Sequence, residues 1–282
     1  GASGVLQLSA GPNITVSAVG ANLIFLSGAA GQPTGPWSFR NLAGGNLGGT
    51  SASSIFYLNA DWFQTMVPAT LAVQAASGLA LSATIGTSGA NGRDVSAGFP
   101  VNSWVYLYVI SGGSGVAGLW SSAVPSAGPV LPVGFTAWAF AHAENIDGTS
   151  ALKRSQIYGT KVNRMYTDGG ANRLVSNLKS TVMQTLQLSA WVPSISRLAE
   201  VDWIVAGTLT GPIIVYQIAT DFSSVSSVTL RVPITAATAG LVNRFETPLD
   251  ATQQLKFRMN DASAGGGLFV DIQGHWQPNG GT

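Results

Sequence analysis

Residues 104–110, which read WVYLYVI, decide the fold. Apolar side chains occupy both alternating sets of positions, as in a strand whose two faces are both buried. Residues 255–260 (LKFRMN) instead alternate apolar with polar side chains, which is typical of a strand with one buried face. The best candidate for a helix, residues 65–76, carries Pro68 inside it. These patterns predict an all-β protein.

The alternation also predicts which side chains share a face of a strand. Over residues 55–62, Trp62 falls on the same face as Phe56. Over residues 135–142, His142 falls on the same face as Phe140. Strands of this kind recur along the chain and are separated by Gly, Pro and Asn, which favours an antiparallel β-sandwich or jelly roll.

The chain is organised in two unequal parts. Residues 1–50 contain short apolar clusters closed by glycine, and we interpret them as a short-strand shaft or arm ending in a linker at 42–50 (LAGGNLGGT). Residues 51–282 form the predicted β-sandwich region, either as one domain or as two halves, 51–170 and 171–282. Because such short strands cannot bury a face alone, the shaft is expected to pair with other copies of the chain.

Composition excludes several classes of function. The 282 residues carry 12 acidic and 13 basic side chains, and only 9% are charged, against about 25% in soluble domains. With a net charge of +1, the chain lacks the excess of basic residues that is typical of a nucleic-acid-binding protein. There is no cysteine, and therefore no disulfide or thiolate metal site. No run of about 18 apolar residues predicts membrane insertion, and the first ten residues do not read as a secretory signal.

The residues that could carry chemistry are few, and we predict no catalytic, cofactor or metal site. Asp271 and His275 are expected on one exposed strand face, without the Gly-x-Ser-x-Gly motif that a serine hydrolase uses. His142, close to Glu144, is interpreted as a hydrogen-bonded histidine at a sheet end. Two pairs of acids lie close in sequence and leave a glycosidase as a distant alternative: Glu144 with Asp147, and Glu200 with Asp202.

Three further features have ordinary structural interpretations. The loop 86–94 has no Gly-Lys-Ser/Thr ending and is therefore read as a turn rather than a phosphate site. Trp120 and Trp191 have polar or small neighbours and are the first candidates for stacking on sugar rings, although packing in a core or a subunit interface is the favoured interpretation. A basic group is interpreted mainly as a solvated face, with an acidic partner as the alternative; it consists of Lys153, Arg154, Lys161 and Arg164.

Two regions resemble bacteriophage virion proteins. Residues 5–31 (VLQLSAGPNITVSAVGANLIFLSGAAG) are similar to the glycine-punctuated shafts of phage fibres. Residues 104–160 resemble a module of phage virion proteins. The module begins with an aromatic strand and continues with a strand ending in Trp-Ser-Ser, a Pro-rich crossover and a closing Gln-x-x-Gly. The second half is similar to such proteins at Val192-Pro193 and at a strand ending in Trp276.

The resemblance implies a structural component of a phage virion and no enzymatic activity. The expected form is a homotrimeric fibre or spike that contributes to host attachment, with Val5, Leu8, Ile14, Val16, Leu23 and Phe25 packed between subunits. The alternative is a capsid decoration protein that stabilises the shell. Expected partners are further copies of the chain, other virion proteins bound through the N-terminal region, and host-surface polysaccharide. The receptor-binding residues stay open.

Overall fold

The computed structural model describes residues 14–18, 24–28, 38–46, 53–165, 173–178, 180–206, 213–219, 228–232, 241–259 and 267–278. Every regular element in these ranges is a β-strand, so the predicted all-β fold is confirmed. The described residues include no helix that is long and apolar enough to cross a membrane. The first two strands, β1 (Ile14–Ala18) and β2 (Ile24–Gly28), form an antiparallel hairpin with Ile14 opposite Gly28.

The first half of the sandwich region contains ten strands. They are β3 (Phe39–Arg40), β4 (Ala43–Gly45), β5 (Ile55–Met66), β6 (Val73–Thr84), β7 (Gly92–Arg93), β8 (Trp104–Gly112), β9 (Gly115–Ser121), β10 (Phe135–Asn145), β11 (Ser155–Tyr158) and β12 (Lys161–Arg164). One layer has the order β6-β5-β4-β11-β12 and the other has the order β10-β8-β9-β7, and the two are linked where Met66 of β5 pairs with Trp138 of β10. The two layers enclose a core that includes Phe56, Leu107 and Trp120, as a sandwich requires.

The second half is an eight-stranded jelly roll. Its strands are β13 (Arg173–Leu178), β14 (Gln184–Gln187), β15 (Leu198–Ala206), β16 (Ile213–Ala219), β17 (Val228–Val232), β18 (Leu241–Pro248), β19 (Gln254–Met259) and β20 (Gly267–Trp276). One sheet has the order β13-β20-β15-β18 and the other β14-β19-β16-β17. This is the strand order of a jelly roll, and Trp203 and Phe257 pack between the two sheets.

The two halves share one continuous sheet. Strand β12 of the first half pairs antiparallel with β20 of the second half, with Val162 opposite His275. Because β20 also pairs with β15 and β13, both of its edges are hydrogen-bonded and the sheet continues from one half into the other. The described halves are therefore joined by backbone hydrogen bonds.

The predicted linker at 42–50 is wrong for residues 42–46. Leu42 is buried, and β4 pairs with both β5 and β11 inside the sheet. Asn46 is also buried and bridges to the chain near Ser155, whose N–H it accepts at 3.0 Å. Gly44 allows β4 to lie close to β5, because a Cβ at this position would clash with the carbonyl oxygen of Tyr57. Residues 47–50 lie outside the described part of the chain.

Candidate functional site

The polar side chains closest to a catalytic arrangement surround Glu144, at the end of β10. Arg164 donates from its Nη1 to Oε1 of Glu144, and the Ser155 hydroxyl donates to Oε2. His142 Nε2 lies 3.3 Å from Oε2 and 3.5 Å from the Ser155 hydroxyl. The arrangement combines a hydroxyl, an imidazole and a carboxylate, the groups of a nucleophile, base and acid.

This cluster is enclosed by protein. His142, Glu144 and Ser155 are 0% exposed and Arg164 is 4% exposed, so no substrate reaches the hydroxyl. Burial lowers the pKa of His142 although Glu144 opposes the shift, and the imidazole is neutral at pH 7. Burial alone would raise the pKa of Glu144, but Arg164, His142 and Ser155 lower it to about 2. The cluster is a buried ion pair in which both carboxylate oxygens of Glu144 accept hydrogen bonds.

The same region ties the two halves together. The Gln277 side chain accepts from Ala143 N–H at 3.0 Å and donates to the carbonyl of Ala141 at 3.0 Å. The short segment after β14 is held by three donors of the first half. These are Trp104 Nε1 to Ser189 O at 2.7 Å, Lys153 Nζ to Ala190 O at 3.1 Å, and Arg164 Nη2 to Trp191 O at 3.3 Å. We call this set of contacts the junction.

The basic group therefore does not form a solvated face. Arg164 is buried in the junction, and Lys153 lies 4.3 Å above the ring of Trp191. Lys161 bonds Glu200 of the second half at 3.0 Å. Three of the four predicted cations join the halves, because β12 ends next to β20 and the segment around Trp191.

His275 and Asp271 are buried, and the prediction of one shared exposed face is wrong. On β15, Asp202 is opposite Asp271 and Ala199 is opposite His275, while a β-bulge shifts the register between them. Residues three apart on a strand face opposite sides, so the bulge turns His275 to the other face from Asp271. Neither ring nitrogen of His275 has a hydrogen-bond partner among the described residues.

Two carboxylates do meet across the second-half sheet. Asp202 and Asp271 are directly opposite in the register of β15 and β20. Arg244 bonds both oxygens of Asp202 at 2.8 and 3.1 Å, and Arg173 bonds both oxygens of Asp271. Each acid is thus paired with its own guanidinium on the neighbouring strand.

Asp147 does not pair with Glu144; it closes a turn. Its Oδ1 accepts from Thr149 N–H at 2.8 Å, the Thr149 hydroxyl at 2.8 Å and Ala151 N–H at 2.9 Å. Asp250 makes the same three bonds to Thr252 and Gln254 in the second half. Burial would raise the pKa of both carboxyls, but these donors lower it. The two acids are structural.

The remaining sequence candidates also have structural roles. Loop 86–94 contains a turn in which Gly92 N–H donates to Gly89 O at 2.9 Å, as predicted. Trp120 is fully buried in the core, so its ring is not available to stack on a sugar. Trp191 is half-buried beneath Lys153. In the described part of the chain, no group of three potential ligands could hold a metal ion.

A surface cavity that the sequence did not predict lies on the outer side of β3, β4, β5 and β11. Its volume is about 840 Å³. It is lined by Phe39, Arg40, Asn41, Leu42, Ala43, Trp62, Tyr158 and Gly159. We call it the aromatic cavity. Trp62 was predicted to share a strand face with Phe56, but Phe56 packs in the core with Phe63, whereas Trp62 is half-buried at the cavity.

The register of the strands explains how the cavity forms. Arg40 is directly opposite Trp62, and Ala43 is directly opposite Tyr158. Opposed residues in an antiparallel pair lie on the same face, so the small Ala43 leaves space beside the large Tyr158 ring. Asn41, with φ of 54°, turns the chain between β3 and β4 and donates to Asp61 at 2.5 Å.

A sequence signal for this cavity exists. Arg40 and Asp61 are the only charged residues before Arg93; Arg40 lines the cavity, and Asp61 accepts a hydrogen bond from Asn41.

Comparison with known proteins adds no assignment, because no protein-family model and no curated protein matches the chain.

Proposed function

We propose that the chain is a structural protein of a bacteriophage virion, a homotrimeric fibre or spike that contributes to attachment to host-surface polysaccharide. The observation that carries the proposal is that the groups suited to acid–base chemistry and the groups suited to ligand binding lie in different places. Those suited to acid–base chemistry, such as Glu144 and His142, are locked inside the protein, while Trp62, Tyr158 and Arg40 line an open cavity. Such a division suits a protein that binds without turnover.

The low charge supports assembly with further copies. Only 9% of the residues are charged and the mean hydropathy is +0.29, values that fit a chain with much surface buried against its neighbours. In the proposed fibre, the hairpin β1–β2 belongs to the N-terminal region that contacts other subunits and other virion proteins. Side-chain packing of Val5, Leu8 and the other predicted shaft residues lies outside the described residues.

The second candidate is a capsid decoration protein, and the jelly roll favours it. Jelly rolls are a common architecture of capsid proteins, and the second half has that strand order. In this role the N-terminal region would bind the shell and the β-sandwich would project from it.

Two measurements test the proposal. Antibody-labelled electron microscopy of virions should place the chain on the tail or its fibres, whereas labelling over the head would favour the decoration protein. Purified protein should sediment as a trimer and compete with virions for adsorption to host cells. A chain that is absent from virions, or that turns over a polysaccharide with loss of turnover in a carboxylate variant, would contradict the proposal.

A further inference from the structure

The aromatic cavity has the dimensions and the lining of a ligand site. Its volume of about 840 Å³ is within the range of about 300–1,000 Å³ that small-molecule sites occupy. Phe39 and Leu42 are buried beneath it and provide an apolar base, whereas Tyr158 is 57% exposed. The site thus presents aromatic rings to solvent on a rigid sheet rather than on a mobile loop.

The polar groups at the cavity indicate the charge of the ligand. Arg40 is exposed, and among the described residues it takes part in no ion pair. Asp61 accepts a hydrogen bond from Asn41 but does not line the cavity, so Arg40 is the one charged side chain among the described residues that line it. A guanidinium with free donors binds carboxylate or phosphate in preference to neutral groups.

We propose that the aromatic cavity binds a pyranose ring that carries an acidic substituent, stacked against Trp62 and Tyr158 with its anionic group on Arg40. A pyranose presents an apolar face of C–H groups and a polar rim, which match an aromatic wall flanked by a guanidinium and an amide. The inference rests on the proposed function because it names the chemical class of the polysaccharide that the chain would contact.

The test uses the full chain and two probes of equal length, oligosaccharides of a polyuronate and of a neutral polyglucose. Titration calorimetry should detect binding of the polyuronate and much weaker binding of the polyglucose. Trp62→Ala should weaken polyuronate binding roughly tenfold through the loss of a stacked ring. Ala43→Ile, which fills the floor of the cavity, should weaken it as strongly, and Arg40→Gln should remove the preference for the acidic probe.

Tyr57→Ala is the matched control. Tyr57 is 51% exposed on β5, the same strand as Trp62, but it is not part of the cavity. This variant should bind like the parent protein. No binding of polyuronate, equal binding of both probes, or equal losses in Tyr57→Ala and Trp62→Ala would each overturn the inference.

Two further outcomes separate this inference from the proposed function. Dissociation of a trimer in Trp62→Ala would show that a second copy of the chain occupies the cavity, and would overturn the saccharide assignment alone. Polyuronate binding that depends on Trp62, in a protein that does not compete with virions for host cells, would support the cavity assignment and contradict the attachment function.

Discussion

Arg164→Met tests whether the buried ion pair holds the protein together. Arg164 and Glu144 are both inside the junction, with side-chain exposures of 1% and 0%. The variant keeps an apolar stem beside Trp104, whose ring centre lies 5.3 Å from the guanidinium, but leaves the Glu144 charge buried without its cation. Removing one partner of a buried pair costs about 3–5 kcal/mol. The melting temperature should fall by roughly 6–20 °C.

Urea denaturation and thermal melting, both followed by circular dichroism, measure this loss at pH 7. Lys161→Met is the control, because the Lys161–Glu200 pair is partly exposed and should cost less than about 1 kcal/mol. The double variant Glu144→Gln/Arg164→Met should be more stable than Arg164→Met, since no unpaired charge stays buried. A cost below about 1 kcal/mol for Arg164→Met, or a double variant no better than the single, would refute the reasoning.

Three further predictions concern stability. Burial lowers the pKa of both His142 and His275, so stability should decline as the pH falls below about 6.5, and it should decline again from pH 4.5 towards 2, where Glu144 titrates. In pH-dependent urea titrations, His275→Leu should make the first decline shallower, and the part due to His142 should stay. Asp147→Ala should cost about 1–3 kcal/mol in the same assay, because three donors lose their acceptor, and a loss below 0.5 kcal/mol would contradict this. Removal of residues 1–37 should leave a cooperatively melting sandwich, whereas removal of 1–50 also deletes β3 and β4 and should abolish cooperative melting.

Alternation along a strand predicted the β-architecture but not the position of every side chain. It holds in β19, where Leu255 and Phe257 are buried and the residue after each of them is exposed, and the all-β fold follows from such patterns. It fails for His142 and His275, because each follows a β-bulge that reverses the faces. His142 therefore stacks on Phe56 in the core instead of joining Phe140. A bulge depends on the partner strand, which the local sequence does not contain.

The aromatic cavity was missed for a related reason. Arg40, Trp62 and Tyr158 come together only through the pairing of β3 with β5 and of β11 with β4, contacts between segments far apart in the chain. Glycines at 44 and 45 suggested a linker, although Gly44 is required by close strand packing. The isolated charges Arg40 and Asp61 mark the site, but a charge pattern alone does not identify its neighbours.

The position of β20 means that the sheet shared by the two halves cannot be completed until this strand has been synthesised. This strand is translated after every other described strand of both halves, yet it lies between β15 on one side and β12 and β13 on the other. Until residues 267–276 emerge from the ribosome, those strands present unpaired edges, which can pair with a neighbouring nascent chain. Translation that stops before β20 would therefore leave an aggregation-prone product, and chaperones that cover strand edges should bind the nascent protein during that interval.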